Sequence, residues 1–454
     1  MKKIYLLIVI NLTFCLPGVV FAQNTADTAV TLKQCILFAL HNQPQVRQSE
    51  IDEQINERNI RIGLSEWLPQ LSSSGEYLRY FKGSPVTTTT STSPSGSTST
   101  TVDAAGLNSN INQFSTLGLQ ASQVIYNNDV LLAAKTAKYS RQYYKENTVS
   151  SQINVVSDVS KAFFDVLLST KQLDILNEDI VRLQRSLKDA YSRYQAGVVD
   201  KTDYKQATIS LNNSIASRKQ TQEDIKSKLA YLKQIMGINA GTDVRLVYDS
   251  TKFVSEAEID TNQKLDYNNR IEYQLLQTTK SLDNLNINYY RWGFLPSVSA
   301  VGSYNALYLS NNFSNLYNNN YPTLYAGLTL SLPIFQGTKR LQNLSKAKLQ
   351  SERADLDIVN SQNTINTEYV EALGSYKSNY TNWQLLNQNV DLAKDVYKVV
   401  SLQYREGIKT YLDVIVAQSD LRTAELNYYN ALFNLLSSKI DLQKALGILN
   451  VNSN

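Results

Sequence analysis

The chain has 454 residues, of which 43% are hydrophobic and 19% charged, and its 44 basic and 40 acidic side chains leave a formal charge of +4. That small excess is spread in mixed-sign stretches, so no basic patch for nucleic acid or a membrane surface is implied. With two cysteines and a single histidine, there is no disulfide framework and no His/Cys cluster for metal or catalysis.

Lys2 and Lys3, the apolar run Ile4 to Val20 and the small-residue pattern Val20-Phe21-Ala22 read as a secretory signal peptide over 1–22, cut before Gln23. Cys15 lies inside it, and Phe14 is not the small residue a lipoprotein cleavage site needs. Cys15 is therefore expected to leave with the peptide, and Cys35 to remain on an apolar helix face as core. No apolar run of 18 or more residues follows, so a membrane could be entered only as a β-barrel.

Thr31-Leu32-Lys33-Gln34 has the spacing of a capping box. A short apolar helix, Cys35 to Leu40, is expected to end at His41-Asn42, with His41 in a surface or capping role. Pro44 suits the first position of a helix running to about Trp67, where Leu68-Pro69 stops it. Asn269-Arg270-Ile271-Glu272 opens a second such helix, which ends at Phe294-Leu295-Pro296. After each Leu-Pro the period switches to alternation, predicting strands at 70–80, 115–125, 297–308 and 322–332. Leu328, Leu330 and Leu332 share one face of the last, with Thr329 and Ser331 on the other. The loops between the strands, Ser84 to Asn112 and Asn311 to Asn320, are polar and expected to be solvated. Trp67 and Trp292, near the strands, suit an interfacial belt.

Long helices then run toward two turns. Leu131 to Gln195 is 65 residues, about 100 Å if fully helical. Its seam (Leu173, Leu176, Ile180, Leu183, Leu187, Ala190, Tyr194) and the twin seam (Trp383, Leu386, Val390, Ala393, Tyr397, Val400, Tyr404) step by 3 and 4, the coiled-coil period. Each seam ends at a glycine that can supply the left-handed helix stop, Gly197 or Gly407, and 407 − 197 = 210. Asp203 and Asp413 follow in the same register, and return helices end at Gly237 and Gly447, again 210 apart. The chain thus divides into a first repeat (23–238), a connector (239–268), a second repeat (269–449) and a polar tail (450–454).

Four strands per chain cannot close a barrel, and open edges in lipid would leave backbone groups unpaired at a cost of several kcal/mol each. A ring of identical chains meets that demand and also gives the long seams neighbours.

These landmarks in order resemble the TolC-type outer-membrane efflux proteins. The match rests on Thr31-Leu32 through Ala39-Leu40, Asn42 and Pro44, on Leu68-Pro69 and Leu295-Pro296, and on Pro333-Ile334-Phe335-Gln336-Gly337. Tyr404 to Gly407, Asp413 and Leu446-Gly447 complete it. The resemblance implies a mainly α protein of two tandem helical-hairpin repeats, each with a β-hairpin. It implies a homotrimer with a twelve-stranded barrel in outer-membrane lipid and a periplasmic helical tunnel. It also implies partnership with a periplasmic adaptor (membrane fusion) protein and an inner-membrane transporter, for export of drugs, metals or proteins.

By the same resemblance Asp203, Tyr404 and Lys409 are gate latches, Asp413 lines the narrowest ring, and the grooves near Gly197 and Gly407 dock the adaptor. Leu328, Leu330 and Leu332 would face lipid. Where relatives often carry a second acidic ring, this chain has Val416. Simpler readings compete: Asp203 and Asp413 suit early-turn positions favoured by the helix dipole, Lys409 a solvated charge, Tyr194 and Tyr404 core packing. No cofactor, metal, nucleic acid or catalysis is expected. The alternative function is a secreted periplasmic coiled-coil scaffold or adaptor that buries its strands in a soluble β-domain.

Overall fold

The computed structural model describes residues 29–82, 91–92, 98–99, 111–247 and 257–449. The expected signal peptide, most of the Ser84–Asn112 loop, the middle of the connector and the tail lie outside the described residues.

Two strands and two helices open the described chain: β1 (Ala29–Val30), α1 (Leu32–Asn42), α2 (Pro44–Ser65) and β2 (Gln70–Arg79). The Thr31 capping box forms, with Thr31 N donating to Gln34 Oε1 at 2.9 Å. It starts α1 three residues before the expected Cys35. A residue before proline is pushed out of the α region, and Gln43 is extended at φ −65°, ψ 123°. One helix is thereby split in two at Asn42.

Two paired dipeptide strands follow, β3 (Ser91–Thr92) and β4 (Thr98–Ser99), and then β5 (Gln113–Tyr126). Asn127 caps α3 (Asn128–Gln195) by accepting from Val130 N at 2.7 Å, so this helix starts before the expected Leu131. Its return partner is α4 (Lys201–Met236), after which β6 (Arg245–Leu246) pairs in parallel with β1. The second half repeats the plan with α5 (Ile271–Trp292), β7 (Ser297–Ser310), β8 (Asn320–Ser331), α6 (Lys339–Arg405) and α7 (Tyr411–Leu446).

Helix α3 has 68 residues and α6 has 67, each about 100 Å long. Among the described residues no helix is long and apolar enough to cross a membrane.

The main core sits at the equator, where both return helices end. Cys35, Ala39 and Val46 meet the middle of α3 (Val155 to Leu168), Leu232 and Met236 of α4, Trp383 of α6, and Leu432, Leu435 and Leu436 of α7. Burying each such leucine contributes about 1.5–3 kcal/mol. Cys35 is fully enclosed there, and burial pushes its thiol up to about 12.

Both return helices end in a left-handed glycine packed on a chain bend. Gly237 (φ 70°) lies against the Asn42 carbonyl, and Gly447 (φ 70°) against that of Asn269. The second bend lacks proline, and here Arg270 is extended and buried. It donates to Glu272 Oε2 at 3.0 Å, Glu368 Oε2 at 2.6 Å and the Ala445 carbonyl at 3.1 Å. Tyr376 fastens the connector by donating to the Ala257 carbonyl at 2.9 Å and accepting from Ile259 N at 3.2 Å.

Candidate functional site: the four-stranded sheet and the two helical tips

The sheet is antiparallel in the order β2-β5-β7-β8, so β5 and β7 join the two halves and β2 and β8 are bare edges among the described residues. Its register sorts side chains by face. Leu71, Ala121, Gly302 and Ala326 lie in one cross-strand row, and Leu119, Tyr304 and Leu324 share the next. Leu328 and Leu330 continue that face through their pairs Ala300 and Val298. The opposite face carries Ser72, Gln120 and Ser303 in one row and Ser74, Asn305 and Thr323 in another. One face is therefore apolar and the other polar.

Leu328 is 73% and Leu330 67% exposed. Leu332, expected in the strand with them, lies one residue beyond β8, because the ladder ends at the Ser297–Ser331 pair. Trp67 stands just before β2 and donates from Nε1 to the Ile125 carbonyl at 3.4 Å, and Trp292 is the last residue of α5. Both tryptophans flank the helix-side end of the sheet.

At the far end of the helices the two turns share one geometry. Gly197 (φ 74°) and Gly407 (φ 75°) close them. Val198 N donates to the Arg193 carbonyl at 2.9 Å, and Ile408 N to that of Gln403 at 2.8 Å. These are the six-to-one bonds of a glycine-terminated helix. The return helices are then capped differently. Asp200 accepts from Thr202 N at 3.2 Å, whereas Thr410 and Asp413 form a reciprocal box.

Asp413 Oδ2 accepts from Thr410 N at 2.9 Å and Thr410 Oγ1 at 2.8 Å, and Oδ1 stands 4.0 Å from Lys409 Nζ. The hydrogen bonds from Thr410, and then the Lys409 charge, hold this carboxyl below the usual carboxylate range. Its contribution to the cap is present above the ordinary value and is lost as the pH falls through the depressed one. Hydrogen exchange in the first turn of α7, corrected for intrinsic rate, is expected to accelerate below about pH 4. Asp413→Ala is expected to give the faster exchange already at neutral pH; unchanged protection would remove the cap.

Among the described residues of the single chain, Lys409 and Tyr404 find other neighbours than Asp203. Lys409 turns to Asp413 and not to Asp203. The Tyr404 hydroxyl is buried with no hydrogen-bond partner among the described residues, its ring 5.7 Å from that of Tyr411. Arg193 from the first tip lies over the Tyr404 ring at 4.6 Å and donates to the Arg405 carbonyl at 3.4 Å. Burial, followed by the charge of Asp200, raises the Asp203 carboxyl.

The twin tyrosines also differ. Tyr404 is buried with Ala190, Ala207, Tyr411 and Val414, but Tyr194 is 37% exposed and packs on Tyr204. Within the single chain the core packing expected of both tyrosines is made by Tyr404, while Tyr194 stays partly exposed. Sequence reasoning also passed over Arg193 and Tyr411. Tyr411 could have been found, since Tyr411, Val414 and Leu421 keep the seam steps of α7.

An amphipathic four-stranded sheet joined to two helical hairpins, each with one helix about 100 Å long, is the TolC-like fold. The sequence pattern described as "Outer membrane efflux protein" matches residues 37–238 and 274–448, once over each half, and the chain belongs to that family. It is 24% identical over 448 residues to the outer membrane protein TolC of Escherichia coli K12, covering 94% of this chain and 84% of the relative.

Among solved structures, the outer membrane channel CmeC of Campylobacter jejuni superposes with a TM-score of 0.72 at 18% identity, covering 93% of this chain and 87% of that one. The outer membrane protein VceC of Vibrio cholerae gives 0.70 at 16% identity, with 92% and 96% covered. The expected resemblance, the mainly helical class with its small antiparallel sheet, and the outer-membrane location stand on these findings. The alternative of a secreted scaffold or adaptor loses its ground.

Proposed function

We propose that the protein is the outer-membrane channel of a tripartite export system, a passive duct from a periplasmic entrance to the exterior. One observation carries the reading. The same chain that carries two helical tips bears a four-stranded sheet with one greasy face, one polar face and, among the described residues, two bare edges. Three copies joined edge to edge would give a closed barrel of 3 × 4 = 12 strands, with the apolar face toward lipid and the polar face lining the duct.

Helix α6 supports the same assembly. Besides the seam it buries against α7, it carries a second, bare one: Leu349 and Leu356, then Leu385, Leu392 and Val399, spaced by sevens. A heptad stripe of this kind calls for another helix, and a second copy of the chain supplies one.

In this reading the tips form the entrance. Asp203 and Lys409 latch neighbouring copies, Tyr404 anchors the second tip, and Asp413 presents one carboxylate ring. Val416, half exposed one turn deeper, would be an apolar collar. The surfaces around Gly197 and Gly407 would receive a periplasmic adaptor bound to an inner-membrane transporter.

Reconstitution in planar bilayers tests this. Asp203→Ala and Lys409→Ala are expected to raise single-channel conductance, and Asp413→Asn, which keeps a capping oxygen, to reduce cation preference. A protein that fractionates as a soluble monomer defeats the channel reading. Unchanged conductance removes the latches, and an unaltered reversal potential removes Asp413 from the ring.

A further inference from the structure

Sixteen residues before the end of α3, roughly 24 Å above the tip, a polar node interrupts the apolar packing. Asp179 of α3, Ser214 of α4 and Gln418 of α7 are each no more than 2% exposed. Asp179 Oδ2 accepts from Ser214 Oγ at 2.8 Å, and Oδ1 accepts from Gln418 Nε2 at 2.9 Å. Arg422 of α7 donates to Ser214 Oγ at 2.8 Å and lies 3.5 Å from Asp179 Oδ2. Arg182 stands 3.8 Å from Asp179 and 3.8 Å from Glu425. A single carboxylate is thus held from three helices, two of the first hairpin and one of the second.

The position matters because of what lies above and below. The equatorial core ends at Leu168 on α3 and begins at Ala431 on α7, whereas the tip cluster holds Ala190, Ala207 and Val414. The node is a buried polar link between the hairpins in the span between them. Gln418 also falls on the inner seam of α7 (Tyr411, Val414, Gln418, Leu421), where a polar residue fixes register that apolar neighbours leave free to slip.

The node is only partly satisfied. Arg182 Nε and Nη2, Gln418 Oε1 and Glu425 Oε2 have no hydrogen-bond partner among the described residues. In a low-dielectric interior each such unpaired group is costly, so the node is a high-stakes contact.

We propose that Asp179, with Gln418 and Arg422, is a positioning node that seats the second hairpin on the first and so sets the aperture of the tips. The proposal rests on the reading of the tips as a gate.

Gln418→Glu places a second carboxylate within hydrogen-bond distance of Asp179, and like charges there push α7 off α3. Asp179→Asn combined with Gln418→Glu exchanges amide and carboxylate across the helices and restores the bond. The full-length assembled channel is used, with two readouts. The first is open probability in planar bilayers; the second is the distance between spin labels at Gln206 and Glu406, which needs no conduction.

Gln418→Glu is expected to raise open probability about tenfold and to widen the label spacing, and the double variant to return both to the parent values. Failure of Gln418→Glu to move either readout, while Asp203→Ala or Lys409→Ala still raises conductance, overturns the node and leaves the gate. A change that the double variant does not reverse also overturns it, because mere damage to packing would be additive. Widened spacing at constant open probability upholds the seating role and rejects the gate.

Discussion

Gly447→Ala is expected to destabilise the protein by about 2–5 kcal/mol, and Gly237→Ala by a similar amount. Two costs add at each position. A residue with a Cβ pays about 1–2 kcal/mol to adopt the left-handed conformation, which both glycines hold at φ 70°. The added Cβ at Gly447 would stand 2.5 Å from the Asn269 carbonyl oxygen, and at Gly237 2.5 Å from that of Asn42. Backbone cannot swing aside as a flexible side chain can, and such overpacking costs about 1–3 kcal/mol.

The tip glycines provide an internal control. Gly197 and Gly407 have φ of 74° and 75°, yet a Cβ there meets nothing within 4 Å among the described residues. Alanine at either tip should therefore cost only the conformational part, about 1–2 kcal/mol. Thermal unfolding of the four variants separates the terms. If Gly447→Ala loses no more than Gly407→Ala, the packing of the return helix on its bend contributes nothing.

Leu328→Arg is the second large effect, and it concerns membrane residence. An arginine on the lipid face of a barrel costs about 2–4 kcal/mol near the bilayer midplane. Leu328 is well exposed and lies between Ala326 and Leu330 on the apolar face. Its neighbour Thr329 points to the polar face, paired with Ser299, so Thr329→Arg should insert nearly as well as the parent. The yield of folded protein in bilayers reads the difference. Equal yields would mean that the greasy face does not meet lipid.

Much of this architecture was legible because the signals are local. Pro44 before an apolar periodic run, Leu-Pro ahead of alternation, and glycines at the ends of 3–4 seams each dictate backbone conformation within a few residues. What escaped depends on distance along the chain. No local pattern tells that β5 pairs with β7 across the halves, a register linking Gln113 to Ser310. Asp179 sits beside a seam residue and reads as a solvated charge until α4 and α7 close over it. The inequality of Tyr194 and Tyr404 arises likewise, since the same register in two repeats meets different neighbours. The tip carboxylates show the converse: Asp413 follows Thr410 at the spacing of a capping box, and its hydrogen bonds satisfy that local role before any pore is formed.

The bare strands β2 and β8 and the uncovered heptad stripe of α6 bear on the life of the chain before assembly. Among the described residues a single copy carries two unpaired ladder edges and two greasy heptad runs on a 67-residue helix. Such surfaces are templates for indiscriminate pairing. In the proposed assembly, a copy still waiting for its neighbours would therefore be the form most open to proteolysis and clumping.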